Sequence, residues 1–78
     1  MARRQRPKHL AKKLLAIRKK LGLSQSQLAE RLELTGTGRI SEYENDKREP
    51  DLLVLLLYAR LAGIRMATIV DDRLKLPK

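Results

Sequence analysis

Cysteine, phenylalanine and tryptophan are absent from this 78-residue chain, and tyrosine occurs only at Tyr43 and Tyr58. Without cysteine there are no disulfides and no thiolate metal sites, and a reducing cytosol suits the chain. Without large aromatics a core must be assembled from Leu, Ile, Val and Ala, which favours packed helices over strands. Histidine is nearly as scarce: His9 stands alone in a basic segment, where neither a zinc site nor a catalytic imidazole is expected. Long hydrophobic runs are missing too. The longest, Leu52 to Leu57, is far too short to span a bilayer. The first apolar residues are interrupted by Lys12, Lys13, Arg18, Lys19 and Lys20, so no signal peptide is expected. With no cysteine, no plausible serine–histidine pair and no metal cluster, an enzyme is not expected either. The expectation is a soluble, cytoplasmic protein that needs no cofactor or metal and has no membrane partner.

What is present is positive charge, unevenly placed. The formal net charge is +9, and the first twenty residues hold Arg3, Arg4, Arg6, Lys8, Lys12, Lys13, Arg18, Lys19 and Lys20 with no acid. From Leu21 onward bases and acids balance. Such asymmetry is a footprint of binding to a polyanion, the alternative being a solubilising tail. A chain this short makes one domain, burying about 60–65% of its unfolded surface, so its stability is modest unless it oligomerises.

Residues 1–7 are polar, basic and end at Pro7, and are expected to form a flexible arm. Leu10, Leu14, Ile17 and Leu21 recur at helical spacing, with the lysines pointing away and Gly22 as a terminator; this predicts a first helix over roughly 8–21. Ser24 with Gln27 fits a capping box opening a second helix over Gln25–Leu32, with Leu28, Ala29 and Leu32 inward. Turn formers from Glu33 to Gly38 precede a third helix, about Gly38–Asn45, whose inward residues are Ile40 and Tyr43 and which Asn45 and Asp46 can end. Pro50 at or next to the first helical position and Asp51 in the first turn predict a fourth helix ending at Ala62 before Gly63. A short fifth helix is expected over Met66–Asp71. The expected fold is all-α: a compact five-helix domain over 8–72, with a helix-turn-helix in its second and third helices and a tail over 73–78.

Two short helices joined by a tight turn can set the second in a major groove while the first crosses the backbone. The blocks Leu23-Ser24-Gln25, Leu28-Ala29-Glu30-Arg31-Leu32, Ile40-Ser41-Glu42-Tyr43-Glu44-Asn45 and Lys47-Arg48-Glu49-Pro50 resemble, in order, the phage-repressor (Cro/cI-like) helix-turn-helix family. The similarity covers about residues 10–72. It implies a repressor-like fold that binds double-stranded DNA. It also implies that Gln25 holds a phosphate and braces the reading helix, and that Thr37, Gly38 and Glu42, with Arg39 beside them, project toward bases. Ser41, Asn45, Lys47 and Arg48 fall at backbone-contact positions, and Arg18 and Glu44 where the family has an ion pair between its first and third helices. The chain departs from the family in its turn. One extra residue lies between Leu32 and Ile40, and Glu33 stands where a turn glycine is common. Since a non-glycine there is penalised, the turn is expected to be rebuilt around Gly36.

Physical chemistry leaves several of these roles open. Arg39 can fork onto guanine O6 and N7 for ~1–3 kcal/mol of discrimination, contact a phosphate, or pair with Glu42 one turn on. Glu42 can accept from cytosine or hold Arg39, and Thr37 can read a thymine methyl or cap its helix. Gly38 offers close approach of its backbone. Arg18 pairs with Glu44 or meets solvent and phosphate. Arg3, Arg4 and Arg6 can follow phosphates or enter a minor groove.

The fourth helix is more apolar than one core face needs. Leu52, Leu55, Leu56, Ala59 and Ala62 form one stripe; Leu53, Val54, Leu57 and Leu61 form a second, expected to meet a partner or to be covered by the fifth helix or the tail. The functional expectation is a sequence-specific transcription regulator, a repressor acting as a homodimer. The alternatives are an antitoxin-like protein-interaction module using the fourth helix, and general nucleic-acid coating.

Overall fold

A computed structural model describes residues 6–77, in which five helices and no strand occur: α1 (Leu10–Lys20), α2 (Gln25–Arg31), α3 (Gly38–Glu44), α4 (Leu52–Ala62) and α5 (Met66–Val70). Among these residues no helix is long and apolar enough to cross a membrane. Leu14, Leu28, Leu32, Ile40, Tyr58 and Ile69 are fully buried and draw every helix onto one core. α1 packs against α3, α4 and α5, while α2 packs on α3. The Tyr58 hydroxyl finds no hydrogen-bond partner among the described residues, and burial pushes the phenol well above its usual range.

Four helices end alike. After each, a residue at φ of 58–70° lets two successive N–H groups turn back onto the helix's last carbonyls, the Schellman arrangement. After α1 this residue is Gly22, with Leu23 N donating to Arg18 O at 3.2 Å; after α4 it is Gly63, with Ile64 N donating to Ala59 O at 3.0 Å. After α2 and α3 it is an acid. Glu33 stands at φ 59° with Leu34 N on Ala29 O at 2.8 Å, and Asp46 at φ 58° with Lys47 N on Glu42 O at 2.8 Å. The two ends of the helix-turn-helix thus take a conformation that costs L-residues about 1–2 kcal/mol.

Three expectations need correction. Lys13 does not point away: it is 7% exposed, and its Nζ donates to Thr68 O (2.9 Å), Asp71 O (2.9 Å) and Leu74 O (2.8 Å). Residue 13 borders the Leu10–Leu14–Ile17 stripe. There the long stem crosses apolar surface while the ammonium reaches open carbonyls in the last turn of α5 and just past it. Second, Val54 is no partner-facing residue; it is buried, whereas Leu52, assigned to the core stripe, is 69% exposed. α1 and α5 cover α4 on two sides, so the buried arc centres on Tyr58 and takes in Val54, Leu55 and Ala59. Leu57 and Leu61 lie at its edge, half-buried, leaving Leu52, Leu53 and Leu56 outside. Third, Asp51 is not in the first turn of α4 but caps it, accepting from Val54 N at 2.9 Å, and Pro50 precedes that cap, buried.

Candidate nucleic-acid interface

The capping box at the start of α2 is closed: Gln27 N donates to Ser24 Oγ (3.1 Å) and Ser24 N to Gln27 Oε1 (2.8 Å). This fixes where α2 begins without help from the core. Leu34 packs against the core and anchors the turn that follows. The turn is not rebuilt around Gly36 in place of Glu33. Glu33 keeps the left-handed position, because the Schellman hydrogen bonds after α2 demand it there, and Gly36 adds a second at φ 73°. Two left-handed residues absorb the extra length, and α3 starts at Gly38.

Glu44, at the end of α3, is gripped from two other helices. Arg18 of α1 donates Nε to Oε2 at 2.7 Å and Nη2 to Oε1 at 3.1 Å, and Gln25 of α2 donates Nε2 to Oε1 at 3.1 Å. Arg18 Nη1 also holds Leu23 O at 3.1 Å, in the link between α1 and α2. The Glu44 hydrogen bonds hold the guanidinium above its usual pKa, despite a smaller opposing effect of burial. A bidentate pair on a planar fork leaves little freedom in angle. Three helices therefore meet at one carboxylate, and the orientation of α3 is set there.

With Ile40 and Tyr43 turned inward, α3 exposes Arg39 and keeps Glu42 half-open. Arg39 makes no ion pair with a described residue. Glu42 does not hold it; its Oε1 takes Arg48 Nε at 2.9 Å instead, reaching across the end of the helix. Thr37 occupies the N-cap position of α3 without a side-chain cap hydrogen bond, so its hydroxyl is uncommitted there. A Cβ built on Gly38 would meet open space. Asn45 Nδ2 is turned back onto Ser41 O (2.8 Å) and Ser41 Oγ (3.4 Å), which closes the two expected backbone contacts on each other. Lys47 is exposed.

Arg6 lies at this same end, where Nη1 donates to Asp46 O at 2.7 Å and Asp46 Oδ1 at 3.1 Å. Arg3 and Arg4 fall outside the described residues. Arg39 and Arg48 both bear on Tyr43 electrostatically, lowering its phenol against the larger upward push of burial. Arg39 on α3 and Lys47 just after it are exposed, and Arg6 and Arg48, each ion-paired to an acid at the end of the helix, add basic groups there. Such basic groups suit a polyanion whose phosphates flank a groove.

Reasoning from sequence placed Asp46 as the left-handed end of α3 but missed its hold on Arg6, and missed Asp72 and Lys13. Asp72 lies beyond α5, where its Oδ2 accepts from Lys8 N (2.8 Å) and its Oδ1 from His9 N (3.0 Å), holding the chain just before α1. These N–H groups depress the Asp72 carboxyl below its ordinary value. No local pattern marks Asp72, because its partners lie more than sixty residues away. Lys13 carries a weak signal, its place beside an apolar stripe.

Compared with protein families, residues 14–69 match the helix-turn-helix family. A comparison with curated proteins finds no match.

Proposed function

We propose that this chain, which belongs to the Cro/cI-type helix-turn-helix family and is thereby a DNA-binding regulator of transcription, acts as a repressor reading a two-fold operator as a homodimer. The observation that carries the reading is the grip of Arg18 and Gln25 on Glu44. It orients α3 while leaving Arg39, Gly38 and Thr37 facing out. In this reading Arg39 takes a base edge, with Thr37, Gly38 and Glu42 beside it. Lys47, Arg48 and Arg6, with Arg3 and Arg4, neutralise phosphates, and Ser41, Asn45 and Gln25 add polar contacts to the backbone. Gln25 can turn its amide to a phosphate only by sharing or leaving Glu44.

Homodimerisation is assigned to the outer side of α4. Leu52 and Leu53 are 69% and 70% exposed, and Leu56 with the edges of Leu57 and Leu61 completes an apolar strip. Such a strip is an unusual surface for a free monomer, and a two-fold pair is the commonest way to cover it. The same strip favours a second reading, an antitoxin-like module that covers it with another protein. Tight co-purification of such a partner would support that reading.

Selection of bound duplexes from a random library tests the proposal. The expected result is an enriched palindrome whose half-sites are centred about one helical turn apart. Binding that depends on salt but enriches no sequence would overturn it.

A further inference from the structure

We propose that Asp72 is a positioning residue for nucleic-acid binding: by holding the N–H groups of Lys8 and His9 it delivers Arg6 to the C-terminal end of α3. The inference rests on the DNA-binding reading above. Both oxygens of Asp72 are used, one on each N–H. The carboxylate is itself held firmly, because the segment that carries it is bound at Thr68, Asp71 and Leu74 by the Lys13 ammonium. The backbone at residues 8 and 9 is therefore held by the segment after α5, through hydrogen bonds that involve no residue of α3. Two residues further back, Arg6 reaches Asp46.

Asp46 explains why the second anchor stands where it does. Glycine would take its left-handed conformation without penalty, but the aspartate adds Oδ1, and its negative charge, to the exposed carbonyl as a second acceptor. The Arg6–Asp46 pair is largely solvated, with side chains 37% and 64% exposed, so it guides rather than locks. A phosphate at the end of α3 can take the guanidinium over. Presenting a basic segment in place lowers the ordering penalty of contacting the backbone, which is how a residue remote from DNA raises affinity.

The test uses the enriched duplex and a random-sequence duplex of equal length, with binding to the full-length chain measured across a salt series. Asp72→Ala is expected to weaken binding to both duplexes about tenfold and to shallow the slope of log K against log salt by about one, as for one lost phosphate contact. In a background carrying Arg6→Ala, Asp72→Ala should change neither quantity. Asp72→Asn keeps one acceptor oxygen, should fall between, and serves if the alanine variant melts below the assay temperature. Equal losses in the two backgrounds would make Asp72 merely structural and overturn the inference, as would no loss in either. If the unaltered chain binds neither duplex, the DNA-binding reading itself fails and this inference with it.

Discussion

Arg18 Nε and Glu44 Oε2 stand 2.7 Å apart between α1 and α3, with side chains only 16% and 5% exposed. Removing one partner leaves the other charge with little water to replace it. Arg18→Met is expected to destabilise the fold by about 3 kcal/mol, which in a domain of this size lowers the melting temperature by more than about 10 °C. Adding Glu44→Met should restore much of the loss, since an apolar pair of similar volume does not carry the desolvation penalty. Thermal melts of the two single variants and the double measure the coupling; additive losses would contradict it.

Lys13 offers a second, independent test. Lys13→Met keeps the stem but leaves the carbonyls of Thr68, Asp71 and Leu74 without a charged donor. A loss of about 2–3 kcal/mol is expected. Hydrogen exchange should rise first at residues 68–76 rather than in α2 and α3. Uniform loss of protection would show that the contact does not act locally.

Glu33 bears left-handed strain that its side chain does nothing to offset, since it is exposed and forms no ion pair among the described residues. Glu33→Gly should relieve about 1–2 kcal/mol of native strain, less about 0.5–1 kcal/mol of added chain entropy. A net rise in stability read from urea midpoints is the outcome expected. Asp46→Gly, by contrast, also removes an acceptor of Arg6 and should gain less.

At the outer face of α3, Arg39→Ala and Gly38→Ala separate reading from approach. Arg39→Ala should leave the melting temperature almost unchanged while costing about 1–3 kcal/mol in binding the enriched duplex and relaxing preference at one base pair. Gly38→Ala meets no neighbour in the free protein, so lost affinity in that variant reports DNA backbone within van der Waals reach. Titrations against matched and single-substituted duplexes check both.

Acid should loosen the C-terminal segment. Asp71 is held down to about 2, chiefly by the Arg73 guanidinium, and Asp72 is lowered chiefly by His9 N–H and then Lys8 N–H. Both favour the ionised form in the folded chain. Their contribution is therefore complete above about pH 4 and is lost as pH falls toward about 2. Melting temperature followed over that window should fall less steeply in Asp72→Asn than in the unaltered chain.

The elements that were legible in the sequence are those whose logic is local. The Ser24–Gln27 box, the Leu10–Leu14–Ile17 stripe and the glycines after α1 and α4 each state a helix end or face within a few residues. Arg18 and Glu44, 26 residues apart, could be paired only through the family resemblance, because no spacing rule connects two helices that cross in space. Asp72 defeats local reading altogether, and Lys13 nearly does: a lysine beside an apolar stripe looks like an outward charge until the segment past α5 comes to lie over it. Helix α4 was misread by a rotation. Nearly every residue there is apolar, so periodicity could not say which leucines face in, and the cover from α1 and α5 decided it for Val54 and against Leu52.

The buried ammonium also makes Lys13 a chemical clock. An amine-acylating reagent reaches exposed Lys12 at once, but it can reach Lys13 only when the segment after α5 lifts and its carbonyls let go. Neighbours in the chain, the two amines would differ in labelling rate by the opening equilibrium of that segment. A mass spectrum taken over time, with and without DNA, would then register the motion of that segment and any effect of binding on it.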